Sequence, residues 1–314
     1  MSDNSKNNFA GIEVAMTTMR GVVISQDGEI IDRRESIYEP ENLISTISDL
    51  ANGLRQAGEI KVVGVAIPGL VNRETDRVLF STGLPFTAQD HIHAELTQKT
   101  GLRFELENDA NAAAYGEYKV GAGRDARDIF YIGIGDAIGG AIILDGKLWT
   151  GTSGCAGEIG HITIDPDGAE CICGNVGCLE TVASGPNIVR RARERLNRDS
   201  TSSLSRLAMQ ENFTAGDLAL EARNGDDFSA MMLERTGRSI GIAVASMINL
   251  LSIERIILGG TIMEAGDLIL QPIVAEARKR SFQPCFEATK IVPGQLGQDG
   301  VAIGAALLAR DAED

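Results

Sequence analysis

Residues 9–34, FAGIEVAMTTMRGVVISQDGEIIDRR, are apolar and β-branched on either side of polar turns, and residues 129–149, IFYIGIGDAIGGAIILDGKLW, repeat that plan. Each stretch reads as successive antiparallel strands joined by hairpins, with Asp27-Gly28 and Asp145-Gly146 supplying the turn chemistry. Aligning Ile12 with Ile132 and Asp27 with Asp145 leaves only a short length difference, so the chain reads as two halves built on one strand-rich plan. Two unrelated hairpins would give the same local pattern.

Helices fill the intervals. ENLISTISDLANGLRQAG (41–58) places Leu43, Ile44, Ile47, Leu50 and Leu54 on one face and ends at Gly58, the pattern of an amphipathic helix. KVVGVAIPGLV (61–71) is a buried strand running into a turn, HIHAELTQKTG (91–101) a short helix and RFELEND (103–109) a strand. ANAAAYGEYKVG (110–121) is a helix whose alanines permit close packing on a sheet. His91 and His93 read as surface histidines. Residues 186–235 are charged and mostly helical, and NRDSTSS (197–203) reads as an exposed loop. RTGRSIGIAVASMINLLSI (235–253) is a nearly all-apolar, hence central, helix. RIILGGTI (255–262) is a strand ending in a glycine turn, Asp267 to Arg280 a helix, and GVAIGAALLAR (300–310) a closing Gly/Ala-rich helix. Alternating strands and helices give an α/β class with mixed sheets.

A chain of 314 residues with 43% apolar content is long enough for two domains with sizeable cores. Its formal charge of −15, from 44 acidic and 29 basic residues, opposes nonspecific attraction to nucleic acid or an anionic membrane. No run of about 18 apolar residues suggests a transmembrane helix, and MSDNSKNN lacks the apolar stretch of a secretory signal, so a cytoplasmic protein is expected. Five cysteines, three of them within eight positions, suit a metal in a reducing compartment better than a disulfide framework.

HITIDPDGAECICGNVGCLE (161–180) supplies that metal set. His161, Cys171, Cys173 and Cys178 offer one imidazole and three thiolates, the number and softness that tetrahedral zinc prefers. Four protein ligands leave no open position to activate water, so a zinc here shapes a loop and does not act as a Lewis acid. Gly174 and Gly177 let the backbone turn between the thiolates. The plainer alternative is a buried cysteine cluster without metal. Cys155 and Cys285 lack such partners and read as ordinary small residues.

The longer segment GEIGHITIDPDGAECICGNVGCLE (157–180) resembles the signature of the ROK family of bacterial repressors, open reading frames and sugar kinases: Glu-x-Gly-His, then Cys-x-Cys-Gly-x-x-Gly-Cys-x-Glu. ENDANAAAYGEY (107–118) resembles the family's catalytic segment, and GVAIPGLV, LDGKL and LGGTI fall where members have similar runs. The resemblance implies the actin-like, ribonuclease H-like α/β fold of hexokinases and heat-shock ATPases. It places 1–118 with a closing helix at about 301–314 in a small lobe, and 119–300 with the zinc loop in a large one. It also implies dimers or tetramers.

Phosphorylating a sugar hydroxyl requires a base near that hydroxyl, hydrogen bonds that fix the ring, and donors with Mg²⁺ around the triphosphate. In the family, the aspartate matching Asp109 takes the proton of the sugar 6-hydroxyl; Asn108 or Asp109 could instead simply cap the following helix. Glu158, His161 and Glu180 resemble the sugar-binding residues, with Asn108 and Gly69 completing the pocket. If one ring nitrogen of His161 binds zinc, the other is left for the sugar.

The phosphate loops depart from the family pattern. Where kinases carry Asp-x-Gly-Gly-Thr-Lys, this chain has Glu13, Ala15 and Met16 for the two glycines, Thr17, and Thr18 for the lysine. The second loop, usually Gly-Thr-Gly-x-Gly-Gly, is GDAIGG (135–140), which puts Asp136 where a hydroxyl would meet the nucleotide at a cost unless a metal bridges them. Gly83 stands where asparagine often precedes Leu-Pro. By resemblance the nucleotide side comprises Glu13, Thr17, Gly135, Gly259 and Gly260. Two functions are therefore expected in competition: an ATP- and Mg²⁺-dependent hexose or N-acetylhexosamine kinase, or a zinc-containing sugar-binding protein without phosphotransfer. A polyphosphate donor is a further alternative, which Asp136 would also repel. About ten residues before the first strand are too few for the roughly 60 of a winged helix-turn-helix, so a DNA-binding repressor is not expected.

Overall fold

The first repeat forms three strands, β1 (Phe9–Val14), β2 (Thr18–Ile24) and β3 (Ile30–Ile37), in a computed structural model that describes residues 8–72, 77–81, 84, 91–196 and 202–312. Gly83 and most of the loop expected at 197–203 lie outside the described residues. Helix α1 (Leu43–Leu54) buries Leu43, Ile47, Leu50 and Leu54, the face that its spacing predicts. Strand β4 (Val62–Ile67) is buried along its whole length, as a central parallel strand covered on both faces must be. A small hairpin of β5 (Leu70–Asn72) and β6 (Arg77–Phe80) follows. Next come α2 (Ile92–Thr100), β7 (Arg103–Asn108) and α3 (Asp109–Val120). Gly101 ends α2 in the left-handed conformation, φ 71°, which a glycine adopts without strain.

The second repeat gives β8 (Ile129–Ile134), β9 (Ile138–Leu144) and β10 (Lys147–Leu148). Helices α4 (Glu180–Ala183), α5 (Gly185–Leu196), α6 (Leu204–Leu207), α7 (Ala215–Arg223) and α8 (Asp227–Leu251) follow. The chain then adds β11 (Arg255–Gly259), α9 (Asp267–Arg280), α10 (Gln283–Ala288), β12 (Lys290–Pro293) and α11 (Gly300–Asp311). The two large sheets run β3-β2-β1-β4-β7 and β10-β9-β8-β11-β12. In the first, β1 pairs antiparallel with β2 and parallel with β4; in the second, β8 pairs parallel with β11 and β11 with β12. The duplication seen in the sequence is thus a duplication of strand order.

The chain divides into two compact units: 1–125, 141–156 and 298–314 form one, and 126–140 with 157–297 the other. The division differs from the sequence boundaries at 119–125, 141–156 and 298–300. Among the described residues no helix is long and apolar enough to cross a membrane. His91 is exposed and His93 half-buried.

Small residues set the packing of the first unit. Helix α11 lies on β1, β4 and α3 so closely that a Cβ built on Gly11 would overlap Ala302 O, one on Gly64 would overlap Ala305 O, and one on Gly304 would overlap Ala112 O. All three clashes are with main chain, which has no rotamer to give. Replacing Gly304 by alanine gains about 1 kcal/mol of helix propensity but forces α11 and α3 apart at about 1–3 kcal/mol or more. The steric term wins. Thermal denaturation should show Gly304→Ala melting on the order of 5 °C below the unchanged chain; an equal or higher midpoint would show that the helices separate freely. In the second unit α8 and α9 approach in the same manner through Gly237 and Gly241, whose added Cβ would lie 2.9 Å from Ile269 O and 2.7 Å from Ile273 O.

Candidate functional site

Asp109 opens α3 directly after β7, at the junction where the strand feeds the helix. The capping role belongs to Asn108: its Oδ1 accepts from Asn111 N at 3.0 Å. The Asn108 amide is thereby oriented. Its Nδ2 donates to Gly69 O (2.9 Å) and to Asp109 Oδ1 (3.0 Å), and Asp109 Oδ1 also accepts from Ala110 N (2.8 Å). Gly69 has φ 136°, and a Cβ there would overlap Phe80 O, so the turn demands glycine. Gly69, Asn108 and Asp109 are thus one hydrogen-bonded group in the first unit.

Glu13, from β1, is within electrostatic reach of Asp109. Burial pushes its carboxyl up to about 7, opposed by the Arg20 guanidinium and reinforced by Asp109, Asp299 and Glu35. Arg20 stands opposite Glu13 in the β1–β2 register, with Nη1 3.5 Å from Glu13 Oε2, and also reaches Glu35 (3.0 Å) and Asp299 (3.9 Å). Arg20 was absent from the expected site, yet cross-strand pairing across the hairpin would have found it. A carboxyl whose folded pKa lies above its unfolded value stabilises the fold below the unfolded value and loses that contribution as pH rises through the folded one. Glu13→Gln should therefore melt with the parent chain near pH 4.5 and above it beyond pH 7. Parallel melting curves across that range would show that the burial is relieved.

Residues 15–18 close on themselves. Ala15 N donates to Thr18 O (2.9 Å), Tyr38 N to Thr17 O (3.2 Å) and Tyr38 Oη to Ala15 O (2.6 Å). None of the four takes a positive φ, so Ala15 and Met16 occupy the turn without strain. Thr17 and Met16 are exposed at its tip.

In the second unit His161 and three cysteines meet. The four ligand atoms lie within 4.8 Å of one another, with His161 Nδ1 3.6 Å from Cys171 Sγ and Cys173 Sγ 3.7 Å from Cys178 Sγ. A tetrahedral zinc with Zn–S bonds of about 2.3 Å spaces its sulfurs about 3.8 Å apart, so the residues fit that ion. Burial pushes the Cys178 thiol up to about 12, with Cys173 and Cys171 adding to the rise, and burial raises Cys171 as well. The Cys173 thiol is lowered, chiefly by the Asn175 backbone, and a cation shared by the cluster would favour the thiolate form of all three. The loop is built for the cluster: Cys171 N donates to Asn175 O and Gly174 N to Cys171 O, and Gly174 and Gly177 hold φ 88° and 71°. Cys155 and Cys285 are half-buried and outside the cluster.

Glu158 is within electrostatic reach of both His161 and Glu180. Burial raises the Glu158 carboxyl, with His161 opposing and Glu180 adding. Because Nδ1 faces the thiols, Nε2 is the ring nitrogen left for a ligand. Glu180 Oε2 accepts from Ile138 N at 3.0 Å, a contact absent from the sequence reading. Gly135 lies near the β11 end: a Cβ there would be 3.8 Å from Thr261 Oγ1. Gly260 has a backbone reason to be glycine, with φ 87° and a Cβ that would overlap Ile134 O, whereas a Cβ on Gly259 would overlap the Tyr131 side chain. Asp136 is exposed in the same loop.

The paired sheets and their helices define an actin-like ATPase fold, as in the ROK sugar kinases whose structures this chain resembles. The ROK family profile matches residues 9–312, and the chain belongs to that family. It is 34% identical over 312 residues to a glucokinase of Thermotoga maritima, covering 98% of both chains. A ROK family glucokinase from Streptomyces griseus, solved with glucose and AMPPNP, superposes with a TM-score of 0.88 at 30% identity, over 97% of this chain and 100% of that one. A ROK family transcriptional regulator, homologous to the E. coli MLC protein, gives 0.87 at 28% identity over 98% of this chain and 79% of that one.

Proposed function

We propose that the chain is an ATP-dependent hexose kinase of glucokinase type, transferring the γ-phosphoryl group to the sugar 6-hydroxyl. The observation that carries this is Asp109, held by Asn108 and the Ala110 amide at the start of α3 in a chain that matches a glucokinase end to end. Asp109 accepts the proton of the attacking hydroxyl, and Asn108 Nδ2 fixes its plane by donating to Asp109 Oδ1. Glu158 and Glu180 accept from sugar hydroxyls, while His161 Nε2 takes another. The thiolates of Cys171, Cys173 and Cys178 with His161 Nδ1 would hold zinc, whose contribution is to fix the imidazole plane. Mg²⁺ would supply charge neutralisation at the phosphates, and Glu13, on β1 just before the first phosphate turn, would be the carboxylate to hold it. Thr17 and Gly135 border the phosphates, and Gly259 and Gly260 the nucleoside. Cytoplasmic residence and a dimer or tetramer belong to the same reading.

Two observations favour the second reading, a sugar-binding protein without transfer. Glu13 is already paired with Arg20, and Asp136 adds an exposed carboxylate in the loop meant for phosphate. Calorimetric titration with ATP·Mg²⁺, then ADP release over glucose, N-acetylglucosamine, N-acetylmannosamine, mannose and fructose, separates the two. Expected are nucleotide binding and turnover with at least one sugar. No turnover above an Asp109→Ala control with any of them would overturn the kinase assignment for that panel.

A further inference from the structure

The peptide of Ile138 is gripped on both sides by the segment that carries the zinc ligands. Its N–H donates to Glu180 Oε2 at 3.0 Å, two residues after Cys178. Its carbonyl lies against Gly160, the residue before His161, so closely that a Cβ on Gly160 would overlap it. Three residues earlier, Gly135 O accepts from Gly185 N at 2.8 Å, just past the turn of helix that Glu180 begins. Asn187 Nδ2 donates to Glu180 O (3.0 Å) and to Ser184 Oγ (2.9 Å), fixing that turn in turn. Gly140, within β9, lies against Gly157 O, where a Cβ would not fit.

Residues 135–137 form the turn between β8 and β9, closed by Gly135 N to Ala137 O (3.0 Å). Beyond the β8–β9 hairpin itself, the anchors of this turn and of the start of β9 run to 157–160 and 180–185. We propose that Glu180 is a positioning residue that fixes loop 135–138 from the zinc-bearing segment, so that metal occupancy and sugar contact set the geometry of the nucleotide side. The proposal rests on the kinase reading for what the loop does, and on the hydrogen bond for how it is held. A carboxylate has two oxygens. One spent on a main-chain donor leaves the other for a hydroxyl, and a single side chain then links both substrates.

Glutamine separates the two duties, because its amide oxygen still accepts from Ile138 N while the charge is lost. Hydrogen exchange of peptides spanning 135–140 should quicken about ten-fold in Glu180→Ala and stay near the parent value in Glu180→Gln. ATP·Mg²⁺ affinity by calorimetry should follow the same order, falling about ten-fold only in the alanine variant, while glucose affinity falls in both. Removing zinc from the parent protein with a chelator should quicken exchange in the same peptides, which tests the link even if Glu180→Ala does not fold. Unchanged exchange in the alanine variant and after chelation would overturn the proposal, and so would glutamine behaving like alanine in exchange. If the parent protein gives no heat with ATP·Mg²⁺ yet shows the predicted exchange order, the kinase reading falls and the link stands.

Discussion

Asp109→Asn should lower kcat by about 10²–10⁴-fold while leaving the melting temperature and glucose affinity close to the parent values. The substitution is chosen for what it preserves. Asparagine keeps a carbonyl oxygen where Asp109 Oδ1 accepts from Asn108 Nδ2 and Ala110 N, so the start of α3 retains its hydrogen bonds. Asn108 still caps the helix through Asn111 N. What disappears is a group able to take a proton at neutral pH. Steady-state ADP release with the best sugar of the panel measures the effect, and calorimetry with the same sugar shows that the pocket survives. A kcat within about three-fold of the parent would remove Asp109 from the role of base, whatever the sugar affinity. A collapse of sugar binding together with kcat would assign it to ground-state binding instead.

The double variant Cys171→Ala, Cys173→Ala should reduce bound zinc from about one per chain to almost none and weaken glucose binding about 10–100-fold. Only His161 and Cys178 would remain, and two ligands do not hold the ion against water. The imidazole would then lose the bond that sets its plane. Thr163 and Cys178 pair across the base of the loop, and Ile164 N donates to Gly177 O, so the surrounding backbone has contacts of its own. The loss should thus be felt at His161 before it is felt in overall folding. Metal analysis of protein purified without added metal, followed by titration with glucose, gives both numbers. Cys155→Ala and Cys285→Ala are the controls and should keep their zinc. Glucose affinity that survives complete loss of the metal would end the scaffold assignment.

Most of the architecture was legible because it rests on local period and punctuation. Helix α9 runs from Asp267 to Arg280 as read, and the face of α1 is the one its apolar spacing marks. The repeated strand order followed from two Asp-Gly turns set in matching apolar runs. Strand β12, Lys290–Pro293, escaped notice because four residues ending in proline at a sheet edge carry no period. The hairpin of β5 and β6 was missed for a similar reason, with three and four residues against the usual five or six.

At the site, the donor set of the metal cluster was legible because ligand type and number are written in side chains. Asn108 and Asp109 could not be told apart as caps from sequence, since both residue types favour that position. The turn between the first two strands, 15–18, was read only as a phosphate loop, but the partner of Glu13 was within reach, because Arg20 faces it across the hairpin those strands form in a run read as antiparallel. The bond from Ile138 to Glu180 was not. It joins a side chain to a main-chain N–H 42 residues away, and a main-chain donor has no sequence signature.

The glycines beneath α11 have a consequence for synthesis. Strands β1 and β4 leave the ribosome before the second unit, but the helix that covers them, Gly300–Asp311, is translated after it. Until then Gly11 and Gly64 present bare backbone to solvent, with no side chain to shield it. The first unit thus completes its core only after the second has been made, and a nascent chain stalled before residue 300 carries an open apolar sheet for chaperones to hold.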